Sequence, residues 1–215
     1  MNTTELIAAF RQDVIDLAEP YLWSDAEILR YANDAQTMFC RAGAGISDVL
    51  TITVPANTLF VPIPSTVWKL RGITRDYDGR EVKIVNYEDS QSIAASQIRL
   101  DERFGPLVCV VVGLKDNYLR VVAKQSLETS LTAVVYRLPN TPLTALGQSL
   151  EIDAIHHLHL LWWMKFLAYS KQDSETFEKA RADDCQSQFL IYCKQSREER
   201  EQKEHKYRTV RYGGL

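Results

Sequence analysis

The 215-residue chain lacks the features that mark secreted, membrane-spanning or zinc-finger proteins. Its four cysteines, Cys40, Cys109, Cys185 and Cys193, form no C-x-x-C pair, and no histidine lies at zinc-finger spacing from them. We therefore expect four reduced, mostly buried thiols in a protein made in cytoplasm. There is no basic segment followed by an apolar one at the N-terminus, and the apolar run at 158–164 is far too short to span a bilayer. These absences predict a soluble protein without a membrane partner.

The sequence also lacks the usual motifs of catalysis and cofactor binding. It contains no G-x-S-x-G element, no glycine-rich loop opening a helix and no alternating strand–helix pattern. The acidic pair Asp183-Asp184 lies on a charged helical segment, where adjacent side chains diverge by about 100° and cannot act on one atom. A net charge of -3 and a pI near 5.8 argue against a dedicated nucleic-acid binder. We expect neither an enzyme nor a cofactor.

What the sequence does contain is a helical pattern at both ends. The first segment has apolar residues at three- and four-residue steps, and Pro20 ends it. Ser24 and Glu27 form a capping box that begins a second helix, which stops near Gly43. The apolar positions of these two helices are Leu6, Ile7, Phe10, Val14, Leu17, Ile28, Leu29, Tyr31, Ala32, Ala35, Met38 and Phe39.

Between about residues 48 and 140 the hydrophobic period changes to the alternation that is typical of strands. Asp78-Gly79 predicts a tight hairpin, because glycine accepts the positive φ that such a turn needs. Residues 88–98 are predicted to be a helix or an ordered loop that crosses the sheet. The predicted strands are 50–54, 59–63, 67–75, 82–85, 107–114, 118–123 and 131–138, which together suggest a small antiparallel sandwich or barrel.

The last third returns to a helical pattern, first from Leu150 to Leu167 and then from Ser174 onward. We expect Phe177 and Phe189 on the apolar side of the last helix. The predicted fold class is α+β, with a helical bundle built from both ends of the chain, an inserted antiparallel β domain and an extended tail. The predicted boundaries are 1–47 for the first helix pair, 48–142 for the β insertion, 143–205 for the C-terminal helices and 206–215 for the tail.

One cluster could bind a metal: Asp153, His156, His157 and His159 lie close together in a helical segment. A zinc site needs at least three protein ligands, and no further ligand is suitably spaced, so we expect polar residues at the start of a core helix and no metal. The neighbouring pair Trp162-Trp163 predicts a core position for Trp162 and a helix or subunit contact for Trp163.

The C-terminal tail differs in composition from the rest of the chain. Residues 194–211 contain seven Lys or Arg and four Glu, a local charge of +3 in an acidic protein. Aromatic and apolar residues alternate with arginines, as in segments that become ordered on a partner. A frayed terminus is the alternative. The predicted docking residues are Tyr207, Arg208, Val210, Arg211, Tyr212, Gly213 and Gly214.

The order of these features resembles that of a known family, the head-to-tail adaptors (head-completion or portal-adaptor proteins) of tailed bacteriophages, of the short-tailed phage type. The resemblance runs along nearly the whole chain. Its motifs are W-S-D-A-E-I-L at 23–29, N-D-A at 33–35, V-P-I-P-S-T-V at 61–67, D-G-R at 78–80, F-G-P at 104–106, D-N-Y-L-R-V at 116–121, V-V-Y-R-L-P at 134–139, L-E-I at 150–152, A-Y at 168–169 and Asp173.

The resemblance implies a virion protein of the head–tail junction, present as a twelve-fold ring of identical copies beneath the portal. It further implies that the portal protein and tail or nozzle proteins are the partners, and that double-stranded DNA passes through the channel without sequence readout. Two alternatives remain open: another neck component such as a tail terminator, or a metal-dependent hydrolase using Asp153, His156 and His157.

Overall fold

The computed structural model describes residues 1–43, 45–87, 104–172 and 177–204. The chain forms two compact units: a helical unit made of residues 1–45 and the chain from Pro139 onward, and a β unit, Ile46–Leu138. The helices are α1 (Thr3–Val14), α2 (Asp25–Ala42), a 3₁₀ helix (Ala154–His159), α3 (Leu160–Tyr169) and α4 (Lys179–Glu204). The predicted α+β class, with helices from both ends around an inserted β region, is confirmed.

Both N-terminal helices begin with a capping box. The predicted box at α2 is confirmed: the Glu27 amide donates to Ser24 Oγ at 3.3 Å, and the Ser24 amide donates to the Glu27 carboxylate at 3.2 Å. At α1, Asn2 and Glu5 form an equivalent box. Helix α2 ends as predicted before Gly43, where an added Cβ would lie 2.9 Å from the Phe39 carbonyl oxygen. Only a residue without a side chain fits this close approach.

Helix α3 lies at the centre of the helical unit, where it contacts α1, α2 and α4. Its buried side chains include Leu160, Leu161 and Met164. Two polar residues of α2 bind the returning chain: Asn33 exchanges hydrogen bonds of 2.8 and 2.7 Å with the backbone of Leu143, and Asp34 accepts from Trp163 Nε1 at 2.6 Å. The helical unit is therefore closed by both apolar packing and specific polar contacts.

The helical predictions need three corrections. Helix α1 ends at Val14, so Leu17 lies in the following loop with 65% of its surface exposed. The segment 150–159 is not α-helical, since only a 3₁₀ helix at Ala154–His159 precedes α3. Phe177 is exposed and lies before the first residue of α4. The predicted helix start at Ser174 falls outside the described residues.

The β unit contains a curled sheet of seven strands in the order β1-β7-β3-β4-β5-β6-β2. The strands are β1 (Ile46–Val54), β2 (Phe60–Pro62), β3 (Val67–Arg75), β4 (Glu81–Asn86), β5 (Cys109–Val112), β6 (Tyr118–Val121) and β7 (Thr129–Arg137). The predicted Asp78-Gly79 hairpin joins β3 and β4, and Gly79 has a φ of +66°. Alternate side chains, including Ile73, Leu131 and Val135, form one buried core.

The β insertion was predicted to be antiparallel throughout, and this is wrong at one place. Strands β4 and β5 pair in parallel, with Lys83 opposite Cys109 and Asn86 opposite Val112. A parallel pair needs a crossover connection of a dozen or more residues, and residues 87–108 are enough for one. The element predicted at residues 88–98 falls within this connection and outside the described residues.

The buried β core makes a direct prediction about stability. Leu131 is fully buried, whereas Leu127 in the preceding turn is 77% exposed. We expect Leu131→Ala to lower the free energy of unfolding by about 3 kcal/mol, because it removes buried methyl groups and leaves a cavity. The matched variant Leu127→Ala should change it by less than about 0.5 kcal/mol. Urea titration of both variants measures the difference, and equal effects would contradict this packing.

Candidate functional site

The residues of the predicted metal cluster point in different directions. The segment is a 3₁₀ helix with three residues per turn, so His156 and His159 share one face, while Ile155 and Leu158 share another. Asp153 caps the helix, accepting from the Ile155 amide at 3.3 Å. Across the described part of the chain, no group of three or more His, Cys, Asp and Glu side chains could hold a metal. The structure therefore does not bring the four predicted residues together as ligands.

His157 is buried and bonded through both ring nitrogens. Nε2 lies 2.8 Å from the Ile152 carbonyl oxygen, and Nδ1 lies 2.9 Å from the amino group of Met1. An ammonium group can only donate, so Nδ1 accepts and the Nε2–H donates to the carbonyl. Burial is the largest cause that lowers the pKa of His157. A neutral imidazole with both nitrogens occupied serves to hold the 3₁₀ helix in place.

His156 and His159 belong to an aromatic cluster with Tyr192 of α4. His156 Nδ1 lies 2.7 Å from the Tyr192 hydroxyl, and the His159 ring stacks on the Tyr192 ring at a centroid distance of 3.6 Å. Phe39 and Trp162 complete the cluster. Burial lowers the pKa of both histidines and raises the pKa of Tyr192, so all three rings are kept uncharged near neutral pH. The cluster fixes the 3₁₀ helix against α4.

The core position predicted for Trp162 is wrong, whereas Trp163 lies at a helix contact as predicted and is the buried one of the two. Trp163 is 7% exposed and donates to Asp34, whereas Trp162 is only half-buried. The reason is that α3 begins at Leu160, after a 3₁₀ turn that shifts the phase of the helix relative to a continuous α-helix. Trp162 lies beside the aromatic cluster, with its ring centroid 5.1 Å from that of His159 and 6.2 Å from that of Tyr192.

The cysteines offer no activated nucleophile. Cys40, Cys109 and Cys193 are buried and Cys185 is half-buried, which agrees with the predicted burial of most of the thiols. Burial raises the pKa of Cys109 and Cys185, and it raises the pKa of Cys193 to about 12. The reactive form of cysteine is the thiolate, so these residues act as small apolar groups.

A buried ion pair, missed by the sequence analysis, holds the α1–α2 loop (residues 15–24). Arg11 Nη1 donates to Asp16 at 2.7 Å, and Arg11 Nη2 donates to the Trp23 carbonyl at 2.9 Å and to Asp25 at 2.8 Å. Asp16 also accepts from the Leu22 amide at 2.9 Å. The sequence did contain a signal for this ion pair: Arg11 lies next to the apolar face of α1, and the acidic Asp16 follows in a mainly apolar loop.

The loop that is held in this way exposes apolar side chains. Ile15, Leu17, Tyr21 and Leu22 are 82%, 65%, 43% and 45% exposed, and we call them the loop surface. The Arg11 guanidinium lies 3.7 Å from the centroid of the Tyr21 ring, which fixes that ring as well. Exposed apolar groups on a fixed loop indicate a surface that contacts another molecule.

A second exposed apolar surface follows the 3₁₀ helix. Ile155 and Leu158 are 65% and 60% exposed. We call these two residues the ridge. Its base is fixed by the contacts of His156 and His159 with Tyr192. The helical unit thus carries two apolar surfaces, each supported by bonded polar or aromatic groups beneath it.

The β unit has an open groove of about 420 Å³. Its apolar floor includes Leu70, Ile84 and Val112, and Trp68 at its rim is 51% exposed. The groove lies where β3 and β4 separate, since these strands pair only at Ile73–Val82 and Thr74–Glu81. Part of the β core is therefore accessible from outside.

The predicted tail residues, Tyr207, Arg208, Val210, Arg211, Tyr212, Gly213 and Gly214, lie outside the described residues. The structure describes α4 up to Glu204. Ser196 is the last buried residue of that helix, and Arg200 donates to the Gly45 carbonyl at 2.9 Å. The charged end of α4 thus precedes the basic segment directly.

Two fixed apolar surfaces and a groove are features of a protein that acts by contact with other proteins. The family model described as SU10 adaptor protein matches residues 1–211, so the chain belongs to the SU10 adaptor protein family. The predicted class, a phage adaptor and viral structural protein, is confirmed at this level. No curated protein matches the chain. Of the helices in the described ranges, none is both long and apolar enough to cross a membrane.

Substitutions in the loop anchor test its importance. Asp16 is almost completely buried, whereas Asp13, paired with Lys165 at 2.8 Å, is 42% exposed. We expect Asp16→Asn to lower the free energy of unfolding by about 2 kcal/mol, because the buried Arg11 would lose its buried carboxylate partner and keep only Asp25, which is half-exposed. The control Asp13→Asn breaks a surface pair and should cost less than about 1 kcal/mol. Chemical denaturation measures both, and a stable Asp16→Asn protein would refute the role of the pair.

The buried histidines predict a dependence of stability on pH. Because their pKa values are lowered in the folded protein, the unfolded chain binds protons first as the pH falls. The free energy of unfolding should therefore have its full value at a pH above about 6.5, the ordinary histidine pKa. It should decrease as the pH falls below that value.

Replacing His156 by Asn keeps a polar group near the Nδ1 position and removes one titratable ring. The variant should therefore lose less free energy of unfolding than the wild type between about pH 7.5 and 5.5. Asp153, Glu199, Arg200 and His159 are the charged or titratable groups whose fields act on His156. Urea titrations of both proteins across this range test the expectation. Equal pH slopes for wild type and variant would exclude His156 as a source.

Proposed function

We propose that the protein is a ring-forming head-to-tail adaptor of a short-tailed phage, which joins the portal vertex of the capsid to the tail. The observation that carries the proposal is the match of the adaptor family along residues 1–211. The exposed apolar surfaces of the helical unit support it, because an adaptor must offer several contact surfaces. In this proposal twelve copies form a ring whose channel lets double-stranded DNA pass.

The charge distribution of the sequence agrees with a channel that does not retain DNA. The sequence of residues 1–45 and 139–204 contains 11 Lys or Arg and 18 Asp or Glu, a net charge of -7. DNA binding is driven mainly by basic side chains that neutralise phosphates, so an acidic helical unit would bind the duplex weakly. The duplex could then slide during packaging and ejection.

The basic tail is proposed to dock on the portal. Tyr207 and Tyr212 would fill apolar pockets, and Arg208 and Arg211 would make paired hydrogen bonds to carboxylates or carbonyls. Gly213 and Gly214 would let the chain pass close to another backbone. Each tail alone would bind weakly, and a ring of tails would bind together through a raised effective concentration.

The arrangement of the described residues does not favour the hydrolase alternative. The three imidazoles of the 3₁₀ helix are directed to the Ile152 carbonyl and to Tyr192, not to a common point. A catalytic zinc would need three ligands that converge.

Deletion of residues 206–215 tests the tail. We expect the thermal unfolding midpoint to change little and binding to the purified portal protein of the same phage to be lost. The double variant Tyr207→Ala/Tyr212→Ala should weaken binding at least tenfold, since a buried aromatic anchor contributes about 2 kcal/mol. Thr209→Ala, within the same segment, is the matched control and should bind as wild type. Unchanged portal binding by the deletion variant would remove the tail from the mechanism.

A further inference from the structure

The loop surface and the ridge lie at opposite ends of α3. The 3₁₀ helix that carries Ile155 and Leu158 runs directly into the first residue of α3, Leu160. At the other end, Ile15 borders a groove together with Tyr169, the last residue of α3, and Arg181 of α4. Ten α-helical residues span about 15 Å, so the two surfaces are well separated on one compact unit.

Both surfaces are apolar and carry few formal charges. Residues 154–164 contain no Asp, Glu, Lys or Arg, although the exposed Asp153 directly precedes them and the helical unit is strongly acidic. The histidines among them have lowered pKa values and are neutral at physiological pH. Among the exposed residues from Ile15 to Leu22, only Glu19 is charged. Desolvating a charge is costly, so uncharged surfaces are the places where two acidic units can approach each other.

Both surfaces are also fixed in advance. The loop surface is held by the Arg11–Asp16 pair, and the ridge is held by the contacts of His156 and His159 with Tyr192. Fixed apolar side chains lose little conformational entropy when they bind, which raises the affinity that a small surface can reach.

We propose that the loop surface of one copy packs on the ridge of the next copy, and that this contact joins neighbouring subunits. The inference deepens the proposed function, because it assumes the ring and names the surfaces that build it. A contact between two different surfaces is heterologous, and repetition of such a contact closes a ring when the rotation per subunit allows it. Leu17 and Tyr21 are the central residues of one side, and Ile155 and Leu158 are those of the other.

Two single variants test the two sides separately. Leu17→Asp places a charge in the loop surface, and Leu158→Asp places one in the ridge. Both residues are exposed in the single subunit, at 65% and 60%, so each variant should unfold at the wild-type temperature. Leu146→Asp, at an exposed leucine of the same unit outside both surfaces, is the matched control.

Native mass spectrometry of the free protein and of its complex with the portal gives the number of associated copies. We expect wild type and Leu146→Asp to form the same ring, either as the free protein or in the complex with the portal. Each of the other two variants should need a tenfold or higher concentration to associate.

Mixing the two variants gives the decisive result. Leu17→Asp keeps an intact ridge, and Leu158→Asp keeps an intact loop surface. In an equal mixture, the loop surface of a Leu158→Asp copy can therefore pack on the ridge of a Leu17→Asp copy. We expect the mixture to form dimers containing one copy of each variant and nothing larger, because both remaining surfaces are disabled.

Three results would overturn the inference. Normal rings from either single variant, or a mixture that stays monomeric while wild type assembles, would show that other surfaces join the subunits and would leave the proposed function intact. A wild-type protein that stays monomeric both alone and with the portal would contradict the ring itself, and this interface with it.

Discussion

The buried pair of Arg11 and Asp16 is the interaction on which the helical unit depends most. Two charged groups are taken out of water, and the cost is offset because both terminal nitrogens of Arg11 and both oxygens of Asp16 have hydrogen-bond partners. The same bonds determine where α1 stops, how the chain reaches Trp23 and where α2 starts. Trp23 then packs edge-to-face with Phe10 and Tyr169, which ties the loop to α1 and to the end of α3. The geometry of the loop follows from this one network rather than from regular secondary structure.

The 3₁₀ helix has a comparable effect at the other end of α3. With three residues per turn instead of 3.6, side chains three positions apart eclipse each other, so the six residues sort cleanly into three faces. His157 and the following Leu160 face the core, His156 and His159 face Tyr192, and Ile155 and Leu158 face solvent. A continuous α-helix would have spread these residues over a broader stripe. The tight helix therefore creates the ridge and at the same time separates the residues that might have formed a metal site.

Much of the fold follows from local sequence signals, and the exceptions have physical reasons. Capping boxes, the glycine stop after α2, the Asp-Gly hairpin and the alternating strands are determined by neighbouring residues, so the sequence predicts them well. The parallel pairing of β4 with β5 depends on a partner that is distant in the chain, and alternation alone does not distinguish the two directions. The phase of α3 depends on the 3₁₀ turn before it, and for this reason the core position was predicted for Trp162 although Trp163 is the buried tryptophan. The loop surface was not predicted, because the helical periodicity of Leu17 continues past the point where Asp16 turns towards Arg11 and the helix ends.

The two contacts proposed for the protein rest on different forces, and this difference has a consequence for assembly. A contact between the loop surface and the ridge would bury mainly apolar groups, so salt should not weaken it, and ions that are excluded from protein surfaces should strengthen it. The proposed docking of the basic tail would use arginines, and exposed charges are screened within about 8 Å at physiological ionic strength. The acidic helical units repel one another at longer range, and salt reduces this repulsion as well. In the proposed assembly, rising ionic strength would therefore favour the association of copies while it weakens attachment through the tail. The proposed ring contact and the proposed joint to the portal would in this way respond to salt in opposite directions.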